Sequence, residues 1–435
     1  MKKHIIIATY DGIGTHYSGV GTIAKNLVFA LTKLSDKYDL RVSIAYINVN
    51  KQSKVFNGQC FEDSSNLVNK TGGSLIPLCN SSKGDSEWDM WRSFEEWDFA
   101  CVSLVTSLNL LLNDNEENML ILNDTPFLMF ARFRELLNIK NIKLFYFPLS
   151  TGINHDFGPD HWRNKRIKLE KDCFNLISSD NSSKVIALGK CFAGRMHQDY
   201  NVNLTENDYL QNGLCFEKYQ DYLNIKFDSS ELEKFGIKIE SDKKIIFAWG
   251  RCSIVKGFRE LAMAWSKICN QLPNYYLVIQ MPNNSGETAY FLHIKDILSN
   301  LPRSIIVDDF NPNIWKTVLR TKNTDVVCIP SLMDPFPHTS IEAKLFSKNT
   351  NYITLISNTD GAVDAFNDDE AIYVDPRDID IFSSKIIDAV NTNEIQRKDM
   401  LMKNNITINN FDFVKILEKF IKDNIFLFGQ QVFDK

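Results

Sequence analysis

Short apolar runs alternate along the chain with segments in which apolar residues recur every three or four positions. A run of four to eight apolar residues bounded by turn residues predicts a buried strand, and the wider spacing predicts an amphipathic helix. The strands predicted in the first half are His4–Thr9, Arg41–Ile47, Met119–Leu122, Lys143–Pro148 and Lys184–Leu188. Those predicted in the second half are Lys244–Trp249, Tyr275–Gln280, Ser304–Val307, Asp325–Ile329, Tyr352–Ile356 and Ala371–Val374.

Predicted helices separate most of these strands. One follows Gly257 and places Phe258, Leu261, Trp265 and Ile268 on one face. The others are Thr22–Leu34, Phe127–Leu137, Trp162–Leu176, a helix from about Ser340, Ile379–Val390 and Asn410–Phe426. Strands alternating with helices predict an α/β protein with two Rossmann-like, doubly wound parallel sheets.

A chain of 435 residues is too long for one ordinary hydrophobic core. We expect an N-terminal domain over residues 1–208 and a C-terminal domain over residues 209–405. The segment YLQNGLCFEKY marks the crossing between them. The remaining residues, 406–435, are expected to form a helix that packs back on the N-terminal domain.

Two segments interrupt this rhythm. Residues 48–83 are polar and rich in turn residues, and we interpret them as an irregular surface insertion. An aromatic cluster follows, and its spacing favours a core-facing helix or an interdomain contact over a sugar-binding platform. Its members are Trp88, Trp91, Phe94, Trp97 and Phe99.

Composition narrows the function classes. There are 49 Lys and Arg residues against 54 Asp and Glu residues, so no general basic field favours nucleic acid. No stretch reaches the roughly 20 apolar residues of a membrane helix, which predicts a soluble or at most peripheral protein. The nine cysteines lack CxxC pairs, which favours reduced thiols in a cytoplasm over disulfides or a zinc site.

A glycine-rich loop, DGIGTHYSGVG, follows the first strand. Gly19 and Gly21 would let the backbone approach a phosphate at the N-terminus of the next helix. A glycine loop alone is also typical of an ordinary βα connection.

A second loop, in CIPSLMDPFPHTSIEA, carries Asp334 and, eight residues later, Glu342 in the first turn of the expected helix. The backbone N–H groups of His338, Thr339 and Ser340 and the helix dipole suit a phosphate. The two carboxylates suit hydroxyls of a bound sugar or ribose. Simple helix capping is the alternative.

Arg251 and Lys256 lie five residues apart in the loop after strand Lys244–Trp249, and the next predicted helix begins at Gly257. Two convergent cations are what a nucleoside diphosphate leaving group needs, although a solvated Arg and Lys near a turn would look the same. Ligands of such sheets bind beyond the carboxyl ends of the strands. We therefore expect these loops, the Gly19 loop and the loop at residues 150–161 to face one another across a cleft.

Four ordered strings carry a family resemblance: QNGLCFEKY, WGRCSIVKGFRELAMAW, TDVVCIPSLMDPFPHTSIEA and SNTDGAVDAF. The chain resembles the GT-B glycosyltransferases of the retaining family four, also called glycosyl transferases group 1. The resemblance covers most of residues 184–390, and before that it rests on the glycine loop and the α/β rhythm.

The resemblance implies a role for each matching residue. Arg251 and Lys256 would hold the donor diphosphate, Glu342 the donor ribose, and Asp334 the transferred sugar. Backbone contacts to the donor would come from Gly19, His338, Thr339 and Ser340. The nucleobase would lie near residues 307–310.

Two positions depart from the family pattern. Asp334 stands where the family has Glu, so its carboxylate reaches about one methylene less far, and donor preference or turnover could differ. Pro148 stands where the family often has a histidine. His155 and Asp156 are the nearest substitutes, with His155 as the catalytic or acceptor-side candidate, and His16 is a weaker candidate.

The resulting hypothesis is a retaining transferase that moves a sugar from a nucleotide sugar, UDP-linked, to an acceptor hydroxyl. The resemblance implies no metal and no cofactor, and the pairs Asp308-Asp309 and Asp368-Asp369 are typical of solvated turns. The acceptor stays open among glycan, lipid-linked sugar, protein and small molecule. The alternative is a non-catalytic glycosyltransferase-like subunit that binds an acceptor protein or an active homologue.

Overall fold

A computed structural model describes residues 3–15, 18–82, 90–112, 114–156, 158–283, 287–309 and 311–426. The chain divides into two compact units. Unit 1 comprises Met1–Cys215 and Phe413–Lys435, and unit 2 comprises Phe216–Asp412. The sequence placed the corresponding boundaries after residues 208 and 405.

Unit 1 is built on a six-stranded parallel sheet. Its strands are β1 (Lys3–Thr9), β2 (Leu40–Ile47), β3 (Leu75–Leu78), β4 (Glu117–Asn123), β5 (Ile142–Phe147) and β6 (Ser183–Val185), in the spatial order β3-β2-β1-β4-β5-β6. The helices are α1 (Gly19–Tyr38), α2 (Gly58–Lys70), α3 (Phe94–Leu111), α4 (Asp160–Ser179) and α5 (Lys190–Tyr200). The predicted helix Phe127–Leu137 is instead a 3-10 segment, Thr125–Leu136.

The prediction of an irregular insertion over residues 48–83 is wrong, because this region contains α2 and β3. The buried positions of α2 are Cys60, Ser64 and Val68, so a polar residue interrupts its apolar stripe and hides the helical period. Strand β3 has only four residues and includes Pro77. Proline is tolerated there because β3 is an edge strand and pairs only with β2.

Three members of the aromatic cluster, Phe94, Trp97 and Phe99, lie on α3, and its buried face confirms a core-facing helix. The side chain of Ser93 caps this helix by accepting a hydrogen bond from the Glu96 N–H. Trp97 is fully buried, and Phe94 stacks on Trp162 with ring centroids 3.9 Å apart. Phe99 lies on the exposed face, and Trp88 lies outside the described residues.

Unit 2 repeats the same plan. Its strands are β7 (Lys244–Trp249), β8 (Tyr275–Gln280), β9 (Ser304–Val307), β10 (Thr324–Ile329), β11 (Ile353–Ser357) and β12 (Ile372–Val374), in the order β12-β11-β10-β7-β8-β9. The helices are α6 (Gln220–Leu223), α7 (Phe258–Ile268), α8 (Thr288–Ser299), α9 (Pro312–Arg320), α10 (His338–Phe346), α11 (Ile379–Asn391) and α12 (Glu394–Thr407). The helices α6, α8, α9 and α12 were not predicted from the sequence.

The final helix, α13 (Phe413–Ile421), belongs to unit 1 and packs on α1. Glu418 accepts hydrogen bonds from Lys37 Nζ and Tyr38 Oη, both at 2.6 Å. The predicted helix Asn410–Phe426 is divided into a 3-10 turn, α13 and a π-helical end, Lys422–Phe426. Within the described ranges, every helix is too short or too polar to cross a bilayer.

Candidate active site

The centre of the candidate site is an ion pair in unit 2. Lys256 follows β7 and Asp334 follows β10, and these strands are neighbours in the sheet. Lys256 Nζ lies 2.5 Å from Asp334 Oδ2, and their side chains are 16% and 17% exposed. Because the two side chains are partly exposed, a ligand can reach their charges. Because they are also partly buried, water screens these charges less than it would at the open surface.

Gly257 fixes the position of Lys256. It adopts φ +68°, and a Cβ there would lie 1.9 Å from the Pro330 carbonyl oxygen. Only glycine fits both the left-handed conformation and this close approach. The loop after β7 is therefore packed backbone to backbone against the end of β10.

The Asp334 loop is held from two sides. Leu332 N–H donates to the Val255 carbonyl at 2.8 Å, and Gly361 N–H donates to the Asp334 carbonyl at 3.1 Å. A Cβ on Gly361 would lie 1.6 Å from the Pro335 carbonyl oxygen. Three of the four strings that carried the resemblance thus meet at one place through backbone contacts.

Glu342 lies on α10. This helix begins at His338, two residues before the predicted start, so Glu342 falls in its second turn and not its first. Its Oε2 accepts a hydrogen bond of 3.1 Å from Trp249 Nε1. Burial raises the pKa of the Glu342 carboxyl to about 7, against the opposing effects of the Trp249 hydrogen bond and the charges of Lys316 and Lys256.

The first turn of α10 contains the three other predicted donor contacts. His338 and Thr339 are partly exposed, whereas Ser340 is buried. Ser340 N–H already donates to the Pro337 carbonyl at 3.1 Å, and its buried Oγ has no hydrogen-bond partner within the described part of the chain. This turn follows β10 and the Asp334 loop, and the N-terminus of a helix is a position where N–H groups favour an anion.

Arg251 is exposed in the loop after β7. Glu287, from just before α8, holds this loop by accepting hydrogen bonds from Ser253 Oγ at 2.7 Å and from Ile254 N–H at 2.8 Å. Sequence reasoning missed Glu287 because it lies more than 30 residues away and belongs to no motif. It also missed Trp249, although that residue directly precedes the Gly250-Arg251 step.

The expected nucleobase region follows β9. The Gln280 side chain donates to the Asp309 carbonyl at 2.9 Å, and Asp308 Oδ1 accepts from Asn283 N–H at 2.7 Å. These contacts shape the segment from 307 to 309, and Phe310 lies outside the described residues.

In unit 1 the glycine loop is organised by the buried Asp11. Its carboxylate accepts hydrogen bonds from the backbone of Gly12 and Ser18 and from the Ser18 hydroxyl, all within 2.9 Å. A Cβ on Gly21 would lie 2.6 Å from Asp11 Oδ2, so the absence of a side chain at Gly21 lets the helix pack closely against Asp11. Gly19 is the exposed first residue of α1, and His16 lies outside the described residues.

His155 lies in the loop after β5. Its Nδ1 accepts a hydrogen bond of 3.0 Å from Thr151 N–H, which places the proton of the neutral ring on Nε2. Asp156 instead joins a buried network, because its Oδ2 lies 3.2 Å from Arg166 Nη1. Asp156, one of the two candidates to replace the missing histidine, therefore forms a structural ion pair.

The acidic pairs have ordinary roles. Asp309 Oδ1 accepts from Asn311 N–H at 2.9 Å, and Asp369 pairs with Lys403. Across the described ranges, no three His, Cys, Asp or Glu side chains form a group that could hold a metal ion. The nine cysteines are thiols.

Comparison with known proteins agrees with this geometry. Residues 229–406 match the family model of Glycosyl transferases group 1. No match was found among curated protein sequences.

The whole chain is similar to several solved structures. Sucrose-phosphate synthase from Thermosynechococcus elongatus aligns with TM-score 0.72 and 13% identity, over 99% of each chain. A glycosyltransferase from Rickettsia africae ESF-5 aligns with TM-score 0.68 and 14% identity, over 100% of each chain. HepE from Anabaena, in complex with UDP and glucose, aligns with TM-score 0.67 and 14% identity, over 97% of this chain and 98% of that one.

Two Rossmann-like units of this topology, each with a six-stranded parallel sheet, define the GT-B class of folds, and the chain has that fold. The match to the model of Glycosyl transferases group 1 falls within unit 2, with the Arg251–Lys256 loop, Asp334 and Glu342 inside the matched residues.

Proposed function

We propose that the protein is a retaining glycosyltransferase that moves a sugar from a UDP-linked donor to an acceptor hydroxyl. The observation that carries the proposal is the meeting of Lys256, Asp334 and Glu342 at the carboxyl ends of neighbouring strands. Two of the similar solved structures are complexes with UDP or with UDP-2-fluoro glucose, which supports the choice of nucleotide.

In this proposal Lys256 and Arg251 stabilise the negative charge that grows on the diphosphate as the bond to the sugar breaks. Preorganised donors at such a position are worth roughly 3–4 kcal/mol each. Glu342 accepts hydrogen bonds from the ribose, and Asp334 contacts the sugar. The leaving phosphate oxygen takes the proton of the acceptor hydroxyl on the same face, which retains the anomeric configuration.

The remaining donor contacts are assigned to backbone groups of Gly19, His338, Thr339 and Ser340. His155 is assigned to the acceptor side, with its imidazole as the group that contacts the acceptor. Metal independence and a cytoplasmic location belong to the same proposal, and acceptor identity stays open among glycan, lipid-linked sugar, protein and small molecule.

A specific observation also favours the non-catalytic subunit as a second candidate. The shorter Asp334 carboxylate is bound to Lys256 at 2.5 Å, so a donor diphosphate must compete for that ammonium. An inactive relative would tolerate such a pair.

A panel of nucleotide sugars tests both. We expect slow hydrolysis of one or more UDP-sugars, followed as UDP release, and calorimetric binding of UDP. Binding of UDP without turnover of any donor would favour the subunit. Absence of both binding and hydrolysis would overturn the transferase.

A further inference from the structure

We propose that Trp249 positions Glu342 for the ribose hydroxyls of the donor and thereby sets a preference for ribonucleotides over deoxyribonucleotides. This inference rests on the proposed function and adds to it a residue that the family pattern does not assign. Trp249 and Glu342 both lie in unit 2.

The contact that carries the inference joins a strand end to a helix. Trp249 is the last residue of β7 and is 6% exposed, and its indole Nε1–H donates to Glu342 Oε2 on α10 at 3.1 Å. Within the described part of the chain, Glu342 Oε1 accepts no hydrogen bond. One carboxylate oxygen is therefore held by the protein, and the other is left for a ligand hydroxyl.

Two stacked aromatic rings hold the indole. Its ring stacks on Phe247, with centroids 5.3 Å apart and planes at 7°, and on Trp315 of α9, at 5.8 Å and 12°. Trp315 in turn packs edge-on against Phe346 of α10 at 5.3 Å. Parallel stacking fixes the ring plane, and this fixes the direction of the N–H toward Glu342.

The chemistry of a buried carboxylate explains why such a donor is needed. Burial favours the neutral form of Glu342, and the charged form is favoured by Lys316 of α9, by Lys256 and by the indole N–H. A charged carboxylate accepts hydroxyl hydrogen bonds more strongly than a neutral one. Loss of the indole N–H should therefore both release the carboxylate rotamer and favour its protonation.

The test compares Trp249→Phe with the matched control Trp265→Phe. Trp265 is also buried in unit 2, but its Nε1–H donates to Ser304 Oγ at 2.9 Å. Affinities for UDP, 2′-deoxy-UDP and 3′-deoxy-UDP are measured by calorimetry between pH 6 and pH 8.5, after a thermal melt of each variant.

We expect Trp249→Phe to bind UDP about tenfold more weakly at pH 7, as for loss of one hydrogen bond to a charged group. Its preference for UDP over a deoxy analogue should shrink, and the pH below which that preference falls should move upward. Trp265→Phe should keep the wild-type ratio and pH profile.

Unchanged affinity, selectivity and pH profile in Trp249→Phe would overturn the inference while wild-type binding of UDP leaves the proposed function intact. Failure of the wild type to bind UDP would overturn the proposed function and the inference together. If Trp249→Phe does not fold, the pH dependence of binding by the wild type tests the inference instead. The preference of the wild type for UDP over the deoxy analogues must fall as the pH drops through about 7, and a constant ratio would exclude Glu342, and hence Trp249, from ribose selection.

Discussion

The carboxyl edges of the two sheets use charge in opposite ways. In unit 2, Lys256 and Asp334 form a pair that is about one-sixth exposed, and Arg251 is exposed in the same loop as Lys256. In unit 1, Arg166 and Glu170 form a pair 2.7 Å apart that is almost completely buried. Exposed charges can exchange their partners for a ligand, whereas buried ones cannot without a large free-energy cost.

The buried network of unit 1 is satisfied by its own neighbours. The Arg166 guanidinium contacts Glu170, Asp156 and Ser150 Oγ, and it lies 4.7 Å from the centre of the Trp91 ring. Glu170 also accepts from Gly152 N–H and from the Tyr200 hydroxyl. This network ties the loop after β5 to α4 and α5, so it gives the acceptor-side candidate His155 a rigid base.

Removing the cation of this buried network should have the largest of the expected effects, a loss of stability of unit 1. Arg166→Met leaves Glu170 and Asp156 without their cation in a buried setting. We expect the free energy of unfolding of unit 1 to fall by about 3–5 kcal/mol. Urea unfolding followed by circular dichroism measures this, with Lys168→Met, an exposed position on the same helix, as the control. Equal stability of the two variants would contradict the contrast between the two sheet edges.

Removing the partly exposed cation of Lys256 should affect turnover and not folding. For Lys256→Ala we expect turnover of the UDP-sugar to fall by about 10²–10³ with unchanged melting temperature, because the leaving diphosphate loses a donor. Arg251→Ala should lose a similar factor. Lys322→Ala, which removes an exposed ion pair with Asp228, is the control. Full activity of both Lys256→Ala and Arg251→Ala would refute the assignment of the site.

Glu342→Gln should make the folded protein more stable at pH 8 and should weaken its binding of UDP. The folded-state pKa of about 7 lies above the ordinary value of 4.5, so the native state binds more protons than the unfolded state between these pH values. Stability is therefore lost as the pH rises through that window. At pH 8 the Gln variant should be about 1–3 kcal/mol more stable than the wild type and yet bind UDP more weakly.

Denaturant unfolding at pH 5 and pH 8, together with calorimetry, checks this. The stability gain should be small at pH 5, where the wild-type carboxyl is already neutral. Glu231→Gln, at an exposed pair with Lys234, should change neither quantity. A gain that is equal at both pH values would show that the carboxyl of Glu342 titrates normally.

Asp334→Glu should have the smallest effect. The added methylene restores the length of the family's acid, and we expect a change of a few-fold, on the order of 1 kcal/mol, in the relative turnover of different UDP-sugars. A panel of UDP-hexoses and UDP-N-acetylhexosamines measures it, with Asp380→Glu, at an exposed pair with Lys267, as the control. An unchanged ranking would remove Asp334 from donor choice.

Strong local patterns allowed much of the fold to be predicted. The bounds of β7, β8 and β9 agree with the prediction, since each is a short apolar run between turn residues. Elements with weak apolar periodicity were missed, such as α2 with its buried Ser64. The site shows the same division, because motif residues such as Lys256 could be named but their supporting contacts could not. Glu287 belongs to no motif, and nothing along the chain links Trp249, the first residue of a quoted string, to Glu342.

The sequence by itself determined the α/β rhythm, the GT-B resemblance and the identity of the charged residues, because these depend on residue type and local spacing. Tertiary structure alone decided how those charges are used. It paired Lys256 with Asp334, placed the Trp249 N–H on Glu342 and buried Arg166 with Glu170. The first two contacts join residues from different elements. Arg166 and Glu170 lie one turn apart on α4, and only the packing of that helix buries them; the strength of a charge depends on such burial.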